Sequence, residues 1–431
     1  MTNEVTQKTT SNEQNVSSSN GLEPLLRFCE FKGNLPQVKL SELFHKCTQK
    51  NRNGAINNVI CNSAKNGLIP QRDFFDKDIA NSENTTGYYI IKNNDFVYNP
   101  RKSNEAPYGP VSIYKDAEDG IVSPLYLCFR ATAPLCAEYF EMYFKSPAWH
   151  RYVYLMGDSG ARHDRVSIKD EVFFDMPVRT PSLSEQQKIA DFLSLVDARI
   201  EKQRLLVESL KKYKRGLLSV IFDRKIRFKD KNANTFPEWQ NTTLSDIGNF
   251  YNGLSGKNKD DFITGNSEYV TYMNVFKNTI ADENICERVN VSEFEHQNIV
   301  QYGDILFTQS SETMEEVGFS SVWISSKTPF LNSFCFGLRL KKLSFVYPQF
   351  MGYLLRSYKL RILIMRESQG ATRINLSSER LKNIKFMLPC FDEQVVIADL
   401  IMKIDDYIAI CEEKYSYLAK LKNGLLQQMF I

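Results

Sequence analysis

The sequence offers few of the side-chain arrangements that perform catalysis. The nearest approach to a phosphate-cradling loop, Gly253-Leu254-Ser255-Gly256-Lys257-Asn258, has the wrong spacing and no hydroxyl residue after its lysine. Asn99-Pro100-Arg101 lacks the second proline and the aromatic residue that an amino-methyltransferase string carries, and Pro-Asp, common in nuclease centres, never occurs. Glu412-Glu413-Lys414 has a nuclease-like order but falls where a solvated helix face is expected. His45, His150, His163 and His296 show no metal-ligand spacing, and the nine cysteines include no Cys-x-x-Cys pair. That cysteine pattern suits reduced thiols in a cytoplasm and argues against structural zinc.

Loops in both halves carry side chains of types that can contact nucleic acids. Arginine suits guanine, asparagine and glutamine suit adenine, and lysine or hydroxyl groups suit phosphate. Net charge is only +3 over 431 residues, so any such surface must be local. In the first half, Lys65, Gln71 and Arg72 flank Gly67 and Pro70. Arg101 and Lys102 follow the rigid Asn99-Pro100, and Tyr108 lies between Pro107 and Gly109. Arg162, His163 and Arg165 share a glycine-containing loop. In the second half the candidates are Lys257 and Lys259, then Tyr272 and Asn274 after an aromatic run. Gln309 opens a polar stretch reaching Thr313, and Arg373 and Asn375 match Arg165 and Ser167 in an internal repeat described next. Each basic residue taken singly reads first as surface or phosphate-facing. Arg165 with Arg373 is the shared candidate for DNA contact, to a base or to phosphate. Tyr98 and Phe307 read as core. Lys211 to Lys231, the most basic stretch, reads as a solvated helix end and connector or as a contact to phosphates.

The elements that must position these residues are repeated. Shifted by 208 residues, Pro181–Phe222 falls on Pro389–Phe430 without a gap, with fifteen identities in forty-two positions. They include Glu185/Glu393, Gln186/Gln394, Asp197/Asp405, Lys214/Lys422 and Phe222/Phe430. Both copies alternate apolar spacings of four and three, which is a coiled-coil seam. Ser184 and Asp392 are expected N-caps. Each helix, about 38 residues long, would span roughly 57 Å. Upstream, Asn94–Asn99 parallels Gly303–Thr308 and Asp164–Ile168 parallels Thr372–Leu376. Helical patches are expected at Ala137–Leu155 and Tyr347–Met365, among short apolar strands of a mixed α/β (α+β) class. No apolar run approaches the roughly eighteen residues of a membrane span. The Ser-, Asn- and Gln-rich first 20 residues read as a disordered tail.

Several phrases carry a family resemblance: NGLIPQRDFF (66–75), DFVYNP (95–100), APYGPVS (106–112), GIVSPLY (120–126), YVTYMNVF (269–276), GDILFTQSSET (303–313) and EEVGFSSV (315–322). With the repeated openings LSEQQKIADFL and FDEQVVIADLI, their order resembles the specificity subunits of type I restriction–modification systems. Where such modules often carry Arg-Phe-Pro-Glu, Arg27-Phe28-Cys29-Glu30 stands. The resemblance implies two target recognition domains separated by two long helices of the type conserved in that family, which pair as an antiparallel coiled coil with pseudo-two-fold repetition. The implied segments are a tail (1–20), domain 1 (21–183), helix 1 (184–222), a connector (223–235), domain 2 (236–391) and helix 2 (392–431). It also implies a double-stranded, bipartite, asymmetric DNA site, two methylation subunits and, as optional further partners, two restriction subunits. S-adenosylmethionine, ATP and Mg would be used by those partners, with no cofactor or metal on this chain and no membrane. The competing readings are a coiled-coil adaptor whose modules bind protein, and a stand-alone nuclease or methyltransferase.

Overall fold

The computed structural model describes residues 23–74, 85–158, 163–262 and 265–431. The expected tail and Arg162 lie outside the described residues. Contacts divide the chain into Met1–Arg204 with Glu413–Ile431, and Leu205–Glu412. Each unit therefore combines one module with half of each long helix. The cut points, after Arg204 and after Glu412, are themselves one repeat interval of 208 residues apart.

In the first unit, strands Phe44–Lys46, Leu127–Ala131, Phe96–Tyr98 and Val111–Ile113 lie in that order, every pair antiparallel. A second sheet orders Gly67–Pro70, Val59–Ser63, Gly120–Val122 and Tyr89–Ile91, its middle pair parallel. The second unit repeats the plan. Gly248–Asn252, Cys335–Leu340, Ile305–Thr308 and Ser320–Val322 form the antiparallel sheet. Glu287–Val289, Ser267–Val270 and Phe330–Leu331 form the mixed one, again with a parallel pair. Phe96 and Phe129 on neighbouring strands stack at 5.5 Å, and Phe307 and Phe336 do so at 5.4 Å. Tyr98 and Phe307 are buried, and so are their neighbours Val97 and Leu306, so both central strands are covered on both faces and their burial does not alternate.

The long helices run Leu183–Phe222 and Phe391–Met429, 40 and 39 residues. The first is capped by Ser182 rather than Ser184: its hydroxyl accepts from Glu185 N at 3.4 Å and its carbonyl from Gln186 N at 2.9 Å. The second begins at Phe391, so Asp392 lies inside its first turn and is not the cap. Both expected helical patches are broken. Ala137–Lys145 stops before Ser146-Pro147, and His150–Met156 follows; Pro348–Leu355 and Tyr358–Arg366 repeat the break.

Within the first unit, Ile189, Ala190 and Leu193 share a core with Leu426, Met429 and Phe430, and Asp197 pairs with Lys422 at 2.5 Å. Within the second, Ile221 and Phe222 share a core with Ile397, Ala398 and Ile401, and Lys214 pairs with Asp405. Numbers rise along one helix as they fall along the other, so the helices pack antiparallel. The seam lysines are reciprocal ion pairs, made by repeat-equivalent residues in each unit.

The Glu-Gln opening of each helix has a structural explanation. Glu185 takes a bidentate pair from Arg27 at 2.7 and 2.8 Å; Glu393 takes one from Arg227 at 2.9 and 3.1 Å. Gln186 accepts from Cys136 N, at the start of Ala137–Lys145, and Gln394 accepts from Tyr347 N, at the start of Pro348–Leu355. These amides satisfy helix-start donors that would otherwise be buried unpaired. Arg227-Phe228 thus repeats Arg27-Phe28, and the expected connector carries a working part of the second unit. Lys211 also pairs with Glu412 at 2.5 Å, so the basic stretch is partly neutralised within its own unit.

Candidate nucleic-acid interface

After strand Phe96–Tyr98 the chain turns through Asn99-Pro100 and meets the returning segment around Arg165. Lys102 N donates to Asp164 O and Val166 N to Pro100 O, both at 2.9 Å. Arg101 therefore lies directly opposite Arg165 in an antiparallel bridge. The flanking bonds make this a non-hydrogen-bonded pair, the closer of the two antiparallel geometries, with Cα atoms about 4.5 Å apart. Like charges directly opposite each other across such a bridge are unfavourable. An anionic or electron-rich ligand relieves that cost.

Both arginines line a cleft of about 510 Å³ with Lys65, Lys102, Leu125 and Tyr126. Lys65, Arg101 and Lys102 are exposed and have no acidic partner within 4 Å among the described residues. Asp164 approaches Arg165 Nε only to 3.9 Å, too far for a hydrogen bond, and that buried nitrogen has no acceptor. Four sequence candidates are thus brought together.

The second module has the same frame with different occupants. Gln309 O accepts from Leu376 N at 2.8 Å, and Ser310 lies opposite Asn375. Ser310 takes the place of Arg101, and Asn375, not Arg373, takes that of Arg165. The expectation that Arg165 and Arg373 play one shared role is therefore corrected: the pairing slips by two residues against the sequence match, and the helix before the bridge is two residues longer in the second module, Tyr358–Arg366 against His150–Met156. Gln309 and Asn375 are exposed at this frame. Arg373 lines an adjoining cleft of about 300 Å³ with Tyr272, Ser310, Glu312, Glu316 and Phe334. Its guanidinium lies over the Phe334 ring at 5.5 Å, and Tyr272 donates to Ser310 O at 2.7 Å.

Other candidates are placed elsewhere. Asn274 is wholly buried; its amide exchanges two hydrogen bonds with the Asp282 backbone, at 2.8 and 2.9 Å, so it holds a turn and reaches no base. Lys257 is bound to Glu295 at 2.6 Å with its side chain 5% exposed, and it holds that carboxyl down to about pH 2. It too is structural. Tyr108 packs against His150 at 4.8 Å while its carbonyl accepts from Tyr98, which makes it a packing residue. Gln71 and Arg72 sit on a short helix, Gln71–Phe74, away from the cleft lining; Lys259 is exposed on a 3-10 turn, Lys259–Phe262.

Sequence reasoning passed over two residues. Leu125 and Phe334 occupy the same turn position, two residues after Ser123 and Asn332, whose carbonyls accept from Tyr126 N and Cys335 N at 3.0 Å. They are 62% and 53% exposed and each lines its module's cleft, which suits contact with a thymine methyl group. A large apolar residue at one turn position in both copies was the available signal. At its other end each central strand begins at a repeated ion pair in which the carboxylate is buried and the arginine half-exposed: Arg130 on Asp95 at 2.6 and 2.7 Å, and Arg339 on Asp304 at 3.1 and 2.9 Å. Each arginine is raised above its ordinary value by that carboxylate. Under the second frame, burial lowers Arg356 and Arg361 to about 10; both lie over Phe319 and donate only to carbonyls.

Two modules of one topology, each ending a central strand in a polar cleft and each followed by a long paired helix, define a duplicated recognition protein. The model of the type I restriction modification DNA specificity domain matches residues 37–208 and 237–419, once per module, and the chain belongs to that family. The type I restriction enzyme MjaVIII specificity subunit of Methanocaldococcus jannaschii is 22% identical over 268 residues, covering 60% of this chain. The chain spans 62% of that relative's length. Two solved structures share the fold. One is a chain from work on complex assembly and conformational transition of a type I R-M system, with TM-score 0.60, 15% identity and coverage of 92% and 98%. The other is the HsdS subunit of Thermoanaerobacter tengcongensis, with TM-score 0.53, 16% identity and coverage of 94% and 99%. No helix among the described residues is long and apolar enough to cross a membrane.

Proposed function

We propose that this chain is the sequence-reading subunit of a type I restriction–modification enzyme, working in the cytoplasm and carrying no catalytic centre. Each module reads one half of a bipartite, asymmetric site in double-stranded DNA. The paired helices set the spacer and dock two methylation subunits, and two restriction subunits complete the endonuclease form. S-adenosylmethionine, ATP and Mg belong to those partners. The observation that carries this reading is the frame repeated in each module with different polar side chains on it, as expected of one scaffold reading two different half-sites.

The test is binding of the full chain, with methylation subunits, to bipartite duplexes across a salt series. Nanomolar affinity that falls steeply with salt is expected, with a log–log slope of about −5 for six phosphate contacts. An adaptor for protein partners would show neither. A further expectation concerns spacing. Inserting one seven-residue repeat after Val207 and another after Tyr415 keeps the seam and lengthens each helix by about 10 Å. That corresponds to roughly three extra base pairs of spacer, fewer if the duplex bends or twists. Methylation mapping reads the result: the same half-sequences at unchanged spacing would refute the ruler.

A further inference from the structure

The bridge beyond Tyr98 and its counterpart beyond Phe307 share a feature that internal packing does not explain. Each holds a buried polar atom with no hydrogen-bond partner: Arg165 Nε in the first module and Ser310 Oγ in the second. Buried donors without acceptors are uncommon in folded proteins, and here two fall on equivalent frames. The flanking carbonyls and amides are used in the bridge itself. Of the four opposed side chains only that of Asn375 has a hydrogen bond to the described residues, a donation from Nδ2 to Arg373 O at 3.2 Å that leaves its second amide hydrogen and its oxygen for something outside the chain. In the first module that pair is Arg101 with Arg165, two cations held side by side against electrostatic preference. In the second it is Ser310 with Asn375, a hydroxyl and an amide.

We propose that this opposed pair is the principal base-reading position of each module, with Arg101 and Arg165 reading guanine in the first half-site and Asn375, with Ser310, reading adenine in the second. The assignment rests on the DNA-reading function proposed above and adds which residues read which base. Guanine presents O6 and N7, two acceptors, to the major groove, and a guanidinium supplies the matching pair of donors. That edge meets the exposed part of the Arg165 side chain, which is 34% accessible, rather than its buried Nε, and offsets the like charge of Arg101. Adenine presents an acceptor beside a donor, which the carboxamide of Asn375 matches and an arginine does not. The hydroxyl of Ser310 serves as donor or acceptor beside it.

The experiment uses the full chain reconstituted with its methylation subunits and a library of duplexes randomised at both half-sites. Wild-type protein is expected to select a first half-motif containing guanine and a second half-motif containing adenine. Arg101→Gln and Arg165→Gln should each lower the preference for one G·C pair of the first half about ten- to hundredfold, leaving the second half-motif unchanged. Replacing that guanine by 7-deazaguanine should reproduce the loss on wild-type protein and add nothing on the variant. Asn375→Ala should relax the second half-motif alone. Equal weakening on every duplex with a shallower salt slope would make the arginines phosphate contacts and overturn the assignment. So would a first half-motif without a G·C pair, or unchanged selection by both variants. If wild-type protein selects no motif at all, DNA reading itself falls, which is a different result from selection that the variants leave intact.

Discussion

Ended at Lys225, just past the first long helix, the amino-terminal half is expected to form a stable homodimer. In the first unit of the intact chain, Leu425, Leu426, Met429 and Phe430 pack beneath the module, with the Phe430 ring 5.2 Å from Tyr139 and 6.2 Å from Tyr143. Their repeat equivalents are Leu217, Leu218, Ile221 and Phe222, nearly the same side chains in the same order. Asp197, which pairs with Lys422, would meet the equivalent Lys214 of a second copy. The truncated half therefore exposes a cavity and owns its own plug, and two copies close each other by two-fold exchange. Sedimentation at micromolar concentration should show a dimer. Phe222→Ala should weaken it more than a hundredfold, since deleting a buried phenylalanine costs about 3–5 kcal/mol and the contact occurs twice. With methylation subunits added, the dimer should modify a palindrome built from the first half-site. A folded half that stays monomeric at tens of micromolar would show that the repeat's helices are not interchangeable.

The repetition that makes this prediction possible was legible because it lies in residues that pack. Glu185, Gln186 and Asp197 recur 208 residues later since each has a fixed partner, and a partner in the fold leaves little freedom. The recognition surface was harder to read for the opposite reason. An asparagine that reads a base and one that ties down a turn have the same sequence signature, and Asn274 proved to be the second kind. Lys257 reads as a candidate cation in the NGLSGKNK stretch, yet Glu295, 38 residues away, holds it. Aligning Arg165 with Arg373 follows the chain numbering, whereas the hydrogen bonds align Arg165 with Asn375. Register across a bridge is set by loop length and backbone pairing, neither of which a side-chain match reports. Lys65, Arg101, Lys102 and Arg165 converge because turns from separate strands meet at one cleft. That convergence belongs to topology, and local pattern alone contains no trace of it.

Glu393→Ala is expected to be the most damaging single substitution in the second unit. Its carboxylate is fully buried and accepts from Arg227 Nε at 2.9 Å, Arg227 Nη2 at 3.1 Å and Trp239 Nε1 at 3.1 Å. Truncation strands Arg227 Nε and the Trp239 indole N–H, while Arg227 Nη1 keeps Glu238 and Nη2 keeps the carbonyls of Phe236 and Pro237. Losing this charge-assisted contact and stranding two donors costs about 2–4 kcal/mol, a large share of an ordinary domain's stability. Glu185→Ala should cost roughly 1 kcal/mol less, because Leu35 stands where Trp239 stands in the repeat and leaves one fewer donor stranded. The two effects should appear in different places. Hydrogen exchange should rise across strands 385–388 and 240–243 for the first variant, and across 177–179 and 37–39 for the second. Adding Arg227→Met to Glu393→Ala should recover part of the loss, since the stranded Nε donor is then gone and an apolar side chain fills its space. If Glu393→Ala exchanges and melts like wild type, the glutamate recurs for some reason other than this ion pair, and the paired helix openings need another explanation.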